Sequence, residues 1–356
     1  MGGSSSGGLS CPLPPFTLCN GTAAESTART INTNSTNGAL GITGLVTVGM
    51  TRAQVKTAFG ADPEQLIPGD GGGPSPFPMR VFYCAKRLSV SYADRPNGQG
   101  VLDGLLTDDD VVARIVTLDG FAGATDTGIA HNDPLAEVET AHGTTGRAQV
   151  PSTLLGGSQD LYPSRGLAFG HDGSNVKFMV VHNAYAGTVT PTVANVGMSL
   201  ANLRLSSGAT EIKAAASGGT NFAAVKMRLG TPDTEGFATV GSNDIAYLSY
   251  GSAGIRVVGL KDSGVTMVDQ VNTFQVYLTP PFAGFDGATT LSLGAPRAEF
   301  EAAFSGMGSS NVEGATFYRY RVATQGILPV CIGVAYTQDE ACVERAAVIS
   351  LNFLCF

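Results

Sequence analysis

A stretch of about a dozen residues recurs four times along this chain, and nothing else in the sequence constrains the fold as much. Gly49–Gly60 reads GMTRAQVKTAFG, Asn132–Gly143 reads NDPLAEVETAHG and Gly219–Gly230 reads GTNFAAVKMRLG. Gly294–Gly306 reads GAPRAEFEAAFSG, with one extra residue before its last glycine. The starts lie 83, 87 and 75 residues apart. Self-similarity at such a period marks a repeated supersecondary unit.

The chemistry within each copy is that of a short helix. Thr51 with Gln54 forms a capping box. Asp133 stands before Pro134 as a cap followed by a first-turn proline. Thr220 or Asn221 can cap the third copy, and Pro296 opens the fourth. Ala53, Val55 and Phe59 recur at helical spacing in the first copy, as do Ala298, Phe300 and Phe304 in the fourth. Gly60, Gly143, Gly230 and Gly306 come next as residues able to take the left-handed conformation that stops a helix. A helix of about ten residues does not persist alone, so each must dock on something.

The segments after each helix are strand-like. RVFYCAKRLSVSYAD and VVARIVTLDGF come after the first, RGLAFGHDG and NVKFMVVHNA after the second. DIAYLSYGSAGIRVVGL and VTMVDQVNTFQVYL come after the third, and FYRYRV, GILPVCIGVAYT and CVERAAVISLNF after the fourth. These runs are β-branched and aromatic and are separated by turn residues such as His171-Asp172-Gly173. The expected fold class is α+β. It comprises four repeats of a short helix plus an antiparallel meander of about three strands, with the helices packed on one face of the sheets.

Composition supports a folded chain: 43 % hydrophobic against 14 % charged residues leaves ample material for cores. The net charge of −8 repels phosphate backbones, so nucleic acid is not an expected partner. No apolar run reaches the roughly 18 residues needed for a membrane-spanning helix.

Cys11, Cys19, Cys84, Cys331, Cys342 and Cys355 include no C-x-x-C pair, so zinc spacing is absent. An even count scattered near both ends suits disulfides in an oxidising, extracytoplasmic compartment. The expected pairing is Cys11–Cys19 as a local loop, with Cys84 and the three C-terminal cysteines forming the rest. Buried free thiols in a cytosolic protein are the alternative.

The first residues, MGGSSSGGLSCPLPPF, have neither the basic nor the apolar region of a signal peptide. Residues 2–8 read as a Gly/Ser linker, and residues 20–38 are small, polar and turn-rich. A Gly/Ser tether at this place resembles the segment after the lipidated cysteine of mature bacterial lipoproteins, with Met1 standing where that cysteine would be. An ordinary linker or loose terminus is the alternative.

The helix motif, lG-x-[ST]-x-x-x-V-x-x-x-fG, followed by Y-x-x-x-Gl-x-v-x-f strands, resembles the repeat of β-lactamase inhibitor proteins. It is also similar to the SmpA/OmlA (BamE-like) outer-membrane lipoproteins. The resemblance covers roughly residues 45–183 and 216–354 and rests on a short, degenerate motif. The inhibitor proteins use two such units per domain. The resemblance therefore implies a flexible tether over 1–40, a two-unit domain over 41–186, a linker over 187–205 and a second two-unit domain over 206–356. The long insertions at 60–78 and 95–110 depart from the family, and no contact residue of the inhibitors is carried over.

Candidate chemistry is sparse. His142 aligns with Phe59, Leu229 and Phe304, so it reads as a packed histidine rather than a catalytic one. His131, His171 and His182 form no i, i+4 pair for a metal. Asp108-Asp109-Asp110 lacks the remainder of a calcium loop and reads as a solvated turn. GDGGG at 69–73 lacks the Lys-Ser/Thr of a phosphate loop, and neither Ser164 nor Ser249 sits in a G-x-S-x-G elbow. No nucleophile, base and orienter set emerges, and no cofactor or metal is expected. Tyr162, Tyr185, Tyr247, Tyr250, Tyr318 and Tyr320 cluster around the strands. They are packing residues, or, where several share one exposed face, a protein- or glycan-binding platform.

The expected function is that of a secreted or surface-tethered bacterial envelope lipoprotein that binds another protein and is not an enzyme. It would act as an inhibitor or as an envelope-assembly accessory. A self-associating structural subunit of a surface assembly and a hydrolase acting on cell wall or glycan are the alternatives.

Overall fold

The computed structural model of the chain describes residues 19, 21–34, 36, 38–65, 79–93, 95, 106–151, 158–162, 165–182, 197–199, 204–207, 210–215, 218–232, 234–240, 243–250, 255–278, 295–312, 315–325, 328–338 and 344–353. Strands β1 (Arg29–Asn32), β2 (Gly41–Ile42) and β3 (Val46–Thr47) lead to helix α1 (Arg52–Phe59). Then come β4 (Glu64–Gln65), β5 (Met79–Tyr83), β6 (Leu88–Ala93) and β7 (Val111–Thr117). After β8 (Gly123–Thr125), helix α2 (Leu135–His142) is followed by β9 (Ala148–Pro151), β10 (Ser158–Tyr162), β11 (Leu167–His171) and β12 (Val176–His182). Strands β13 (Gly197–Ser199), β14 (Arg204–Ser207) and β15 (Thr210–Lys213) precede helix α3 (Phe222–Leu229). Next are β16 (Thr234–Val240), β17 (Asn243–Tyr250), β18 (Ile255–Leu260) and β19 (Gln275–Leu278). Helix α4 (Arg297–Ala303) runs into β20 (Ser305–Val312), β21 (Ala315–Gln325), β22 (Leu328–Gln338) and β23 (Glu344–Phe353).

The fold is mixed α+β, dominated by antiparallel strands. One eight-stranded sheet has the order β4-β5-β6-β7-β12-β11-β10-β9, and a second has the order β16-β17-β18-β19-β23-β22-β21-β20. In each, two four-strand meanders meet along their last strands, β7 against β12 and β19 against β23. The expected meander of about three strands is corrected to one of four. A small sheet, β3-β2-β1-β8, contains the parallel pair β1·β8, and β13-β14-β15 form another.

A recurring backbone tie holds each helix to its meander. The first helical N–H groups have no partner within a helix and need an outside acceptor. Arg52 donates to the carbonyl of Asp110, Leu135 to Ser174 and Phe222 to Val271, at 2.8, 2.8 and 2.9 Å. Each acceptor lies at or within a few residues of the start of the fourth strand. The fourth helix is tied in the other direction, with Ala346 of β23 donating to the carbonyl of Ala295 at 2.9 Å. The approach at α3 is so close that a Cβ on Gly219 would lie 1.8 Å from the Thr273 carbonyl oxygen.

Side-chain periodicity then builds the cores. Tyr162, Leu167, Val181, Ile115, Val90 and Val81 are successive cross-strand neighbours and share one face of the first sheet. Val55 and Phe59 of α1 and Val138 of α2 join them in one apolar cluster. Leu248, Val257, Val276, Leu351, Ile332 and Tyr320 form the matching row of the second sheet, covered by Phe222, Val225 and Phe300. The opposite face of the first sheet presents Leu161, Ala168, Val180 and Val116, which belong to that second cluster. The apolar core is thus continuous from one sheet to the other. Among the described residues, no helix is long and apolar enough to cross a membrane.

Several local expectations are corrected. Cys19 is bonded to Cys84 and not to Cys11. Cys19 is buried with Phe82, Cys84 and Leu118, and Arg87 donates to the carbonyls of Cys19 and Thr22. Lys86 pairs with Glu25, so the chain after Cys19 is strapped to the β5–β6 turn. Cys331 is also disulfide-bonded, while Cys11, Cys342 and Cys355 lie outside the described residues. The expected tether over 1–40 does not extend to Arg29–Asn32, which forms β1, and the expected linker over 187–205 contains β13 and the start of β14.

Helix ends hold in part. Thr51 and Gln54 make both bonds of the capping box, and Asn221 caps α3. Asp133 does not cap α2; its carboxylate accepts from the N–H of Ala130, and Pro134 takes the cap position. Gly60, Gly143 and Gly230 end their helices at φ 65, 70 and 85°. Gly306 does not, because α4 ends at Phe304 in extended geometry and passes directly into β20.

Candidate functional site

The structure separates the tyrosines into packing and surface groups. Tyr162, Tyr247, Tyr250 and Tyr320 are each at most 5 % exposed, so they do not form an exposed platform. Tyr185 lies outside the described residues. Strand alternation directs Tyr162, Tyr250 and Tyr320 toward the helices. Tyr162 donates to the carbonyl of Gly143 and Tyr250 to that of Gly230, each at the end of the preceding helix. Tyr320 lies against Phe300 of α4, with ring centroids 5.9 Å apart. Tyr247 points to the opposite face and lies under the Arg256 guanidinium, 5.7 Å from its centroid.

Tyr318 differs. It is half-buried on β21, and the guanidinium carbon of Arg297 sits 3.9 Å from its ring centroid. The same guanidinium is 5.8 Å from the ring of Tyr336, also half-buried, and the two tyrosine rings are 5.6 Å apart. Arg297 is held by Glu301 one turn along α4, its Nε donating to Oε1 at 2.7 Å. Tyr336 donates to the hydroxyl of Tyr320 at 2.9 Å. Burial, reinforced by Tyr320, pushes the Tyr336 hydroxyl well above its ordinary pKa, so it remains a neutral donor. Cation–π stacking on these two rings, with the Tyr336 hydroxyl bonded to Tyr320, forms a surface of Arg and Tyr.

Arg52 occupies the place of Arg297 in the first helix, where the arrangement is closed. Arg52 makes a bidentate pair with Glu64 and also reaches the Leu106 carbonyl at 3.2 Å. Tyr83 donates to Glu64 at 2.8 Å, and its hydroxyl is 2.8 Å from that of Tyr92. Burial opposes ionisation of Glu64, but the bonds from Arg52 and Tyr83 outweigh it and hold the carboxyl below its usual range. Both Tyr83 and Tyr92 are fully buried. Helix α1 therefore commits its arginine to the partly buried Glu64 carboxylate, whereas α4 carries the same residue type stacked on two half-buried tyrosines.

Beside Arg297 and Tyr318 lies β20, an edge of the second sheet. Its residues 305–309 are exposed, and the strand SGMGSSNV carries no charge and no proline. The other edges of the two large sheets differ: β4 has two residues, β9 ends in Pro151, and β16 carries Glu235 paired with Lys226. Short length, proline and charge are the usual protections of a sheet edge. A bulge places Met307 and Gly308 opposite the single residue Arg319, with Gly308 at φ 84°. Met307 is 36 % exposed.

The histidines and the acidic run have internal partners. His142 is buried, as its alignment with phenylalanines implied. His131 Nε2 lies 2.7 Å from Thr117 Oγ1, and burial lowers its pKa to about 4, assisted by Lys177 and opposed by Asp119. His171 Nε2 is 3.5 Å from Asp160, which also pairs with Arg147 at 3.2 Å. Asp110 is buried and accepts from the N–H groups of Arg95 and Thr107, so that run is not simply a solvated turn. Asp108 pairs with Arg52 and Lys56. Among the described residues no group of three or more His, Cys, Asp or Glu is arranged to hold a metal ion. The sequence reading missed Arg297 and Tyr336. The arginine shared by the first and fourth dozens was the available signal.

Comparison of the chain with known protein families, characterised proteins and solved structures found no match.

Proposed function

We propose that the chain is an extracytoplasmic protein-binding module, tethered at the surface of a bacterial envelope, whose contact site is the corner formed by α4 and β20–β22. The observation that carries this reading is the stack of Arg297 on Tyr318 and Tyr336 beside the exposed edge β20. Arg and Tyr are the residue types that concentrate binding energy in protein interfaces. An uncharged edge strand adds main-chain donors and acceptors that a partner's extended segment can use. The Cys19–Cys84 disulfide, and the bonded Cys331, favour an oxidising compartment.

The architecture is four copies of one helix-plus-four-strand unit, paired into two two-unit domains, each with one eight-stranded sheet. The tie between each helix start and its fourth strand supports this reading, as do the mirrored strand orders of the two sheets. It agrees with the two-unit arrangement implied by the resemblance to β-lactamase inhibitor proteins and BamE-like lipoproteins. Such a surface would serve an inhibitor or an envelope-assembly accessory alike. The exposed β20 edge also favours a second reading, a structural subunit that pairs edge to edge with another copy.

The test is site-directed photo-cross-linking in the native envelope, with the probe placed at Met307 or at Met227. Met227 is 75 % exposed on α3 and serves as the control. A single cross-linked protein at Met307 alone, lost in Arg297→Ala and Tyr318→Ala, supports the binding module. A cross-link to a second copy selects the structural subunit. Identical patterns at both positions, or no product at Met307, overturn this site.

A further inference from the structure

His142 closes the last turn of α2 where α1 carries Phe59. Its ring packs between Tyr162 and Phe169, with centroids 5.5 and 5.3 Å away. Its two nitrogens are committed. Arg165 Nη1 lies 2.9 Å from Nδ1, and Thr127 Oγ1 lies 3.1 Å from Nε2. A guanidinium can only donate, so Nδ1 must offer a lone pair. The proton of the neutral ring therefore sits on Nε2 and is donated to Thr127. A second proton on Nδ1 would remove the acceptor and set a buried imidazolium 2.9 Å from the guanidinium of exposed Arg165.

We propose that α2 is an acid-released element: protonation of His142 expels its ring from between Tyr162 and Phe169 and frees the last turn of the helix from the sheet.

The charges on each neighbouring element are accounted for. Asp126, beside Thr127, favours the protonated ring, but its carboxylate is engaged by the Thr33 hydroxyl. On α2, Glu137 is exposed and Glu139 pairs with Arg147. On the strands beneath, Asp160 is shared between Arg147 and His171. Arg165 is the cation in direct contact. Burial first, then Arg165, holds the imidazole below its ordinary pKa, and Asp126 pulls the other way.

Linkage sets the sign. A released His142 takes a proton near pH 6.5, whereas the packed ring takes one only at lower pH. Below about 6.5 the open form binds more protons, so closure weakens as pH falls. His131, held to about 4 on the chain leading into α2, adds a second contribution of the same sign. All four histidines of the chain lie between His131 and His182, so the remaining helices carry no such group.

The test is amide hydrogen exchange of the full chain at pH 7.5 and 5.0, corrected for intrinsic rates. The expected result is a tenfold or greater loss of protection over residues 135–143 at pH 5.0, with residues 222–230 of α3 unchanged. His142→Phe, which installs the residue found at Phe59, should lose markedly less protection at pH 5.0 than the wild type, the remainder being the share of His131. Arg165→Met should weaken the pH dependence and serves the same purpose if His142→Phe does not fold. Unchanged protection of wild-type α2 at pH 5.0 overturns the proposal, as does an equal loss in His142→Phe or an undiminished pH dependence in Arg165→Met.

Discussion

The hydroxyl of Tyr162 donates to the carbonyl of Gly143 at 3.1 Å, fastening the second strand after α2 to the end of that helix. Tyr250 and Gly230 repeat the contact at 3.0 Å in the second sheet. A carbonyl in the last helical turn or just beyond lacks an intrahelical donor, and the tyrosine supplies one. Tyr162→Phe should cost about 0.5–1 kcal/mol, because Gly143 is exposed and water can replace the hydroxyl. Tyr250→Phe should cost more, about 1–2 kcal/mol, because Gly230 is half-buried. Urea unfolding of the two variants and their double mutant checks both values. The double mutant should be additive to within about 0.5 kcal/mol, since the sites lie in different sheets.

The helices were legible because their signals are local. Thr51 with Gln54, and Gly60, Gly143 and Gly230, each specify an end through their own backbone conformation or side chain. The number of strands was not legible, because β4 consists of Glu64 and Gln65 alone, too short for any alternation to show. The two readings of the tyrosines stay open in the sequence for a related reason. Period-2 alternation tells which residues share a face, but not which face a helix covers, so buried Tyr162 and half-buried Tyr318 look alike in sequence. Arg297 and Tyr336 meet only through the packing of α4 on β21 and β22, and no spacing rule joins residues that far apart. The Cys19–Cys84 pairing was hidden similarly, since the shortest loop is not the one the fold brings together.

That disulfide closes a separation of 65 residues. Loop-closure entropy assigns such a link about 4 kcal/mol. Cys19→Ser combined with Cys84→Ser should lower stability by up to that amount. It should also loosen the segment around Glu25, which Lys86 and the backbone of Ala85 otherwise hold. Thermal unfolding under oxidising and reducing conditions measures the first effect, and proteolysis within residues 21–28 the second. Peptide mapping of the oxidised protein should recover Cys19 linked to Cys84. A Cys11–Cys19 linkage would contradict the packing around Phe82 and Leu118.

Val55 provides the sharpest test of which helix face meets the sheet. It is fully buried in the cluster that holds Tyr83, Val90 and Ile115, and neighbouring Phe59 lies edge-on to Tyr83 at 4.4 Å. Nearby Arg52 is already bound to Glu64, so an aspartate at position 55 would enter without a free cation. Burying an unpaired carboxylate costs several kcal/mol, or forces it to take up a proton. Val55→Asp should therefore destabilise the first sheet by about 3 kcal/mol or more. Met227→Asp, on the exposed side of α3, should stay within about 0.5 kcal/mol of wild type. Because the carboxylate must be neutralised to remain inside, the penalty in Val55→Asp should also shrink as pH falls toward 4. Melting temperatures of both variants at pH 7.5 and 4.5 read this directly. Equal melting of Val55→Asp and wild type would mean that α1 meets its sheet through a different face.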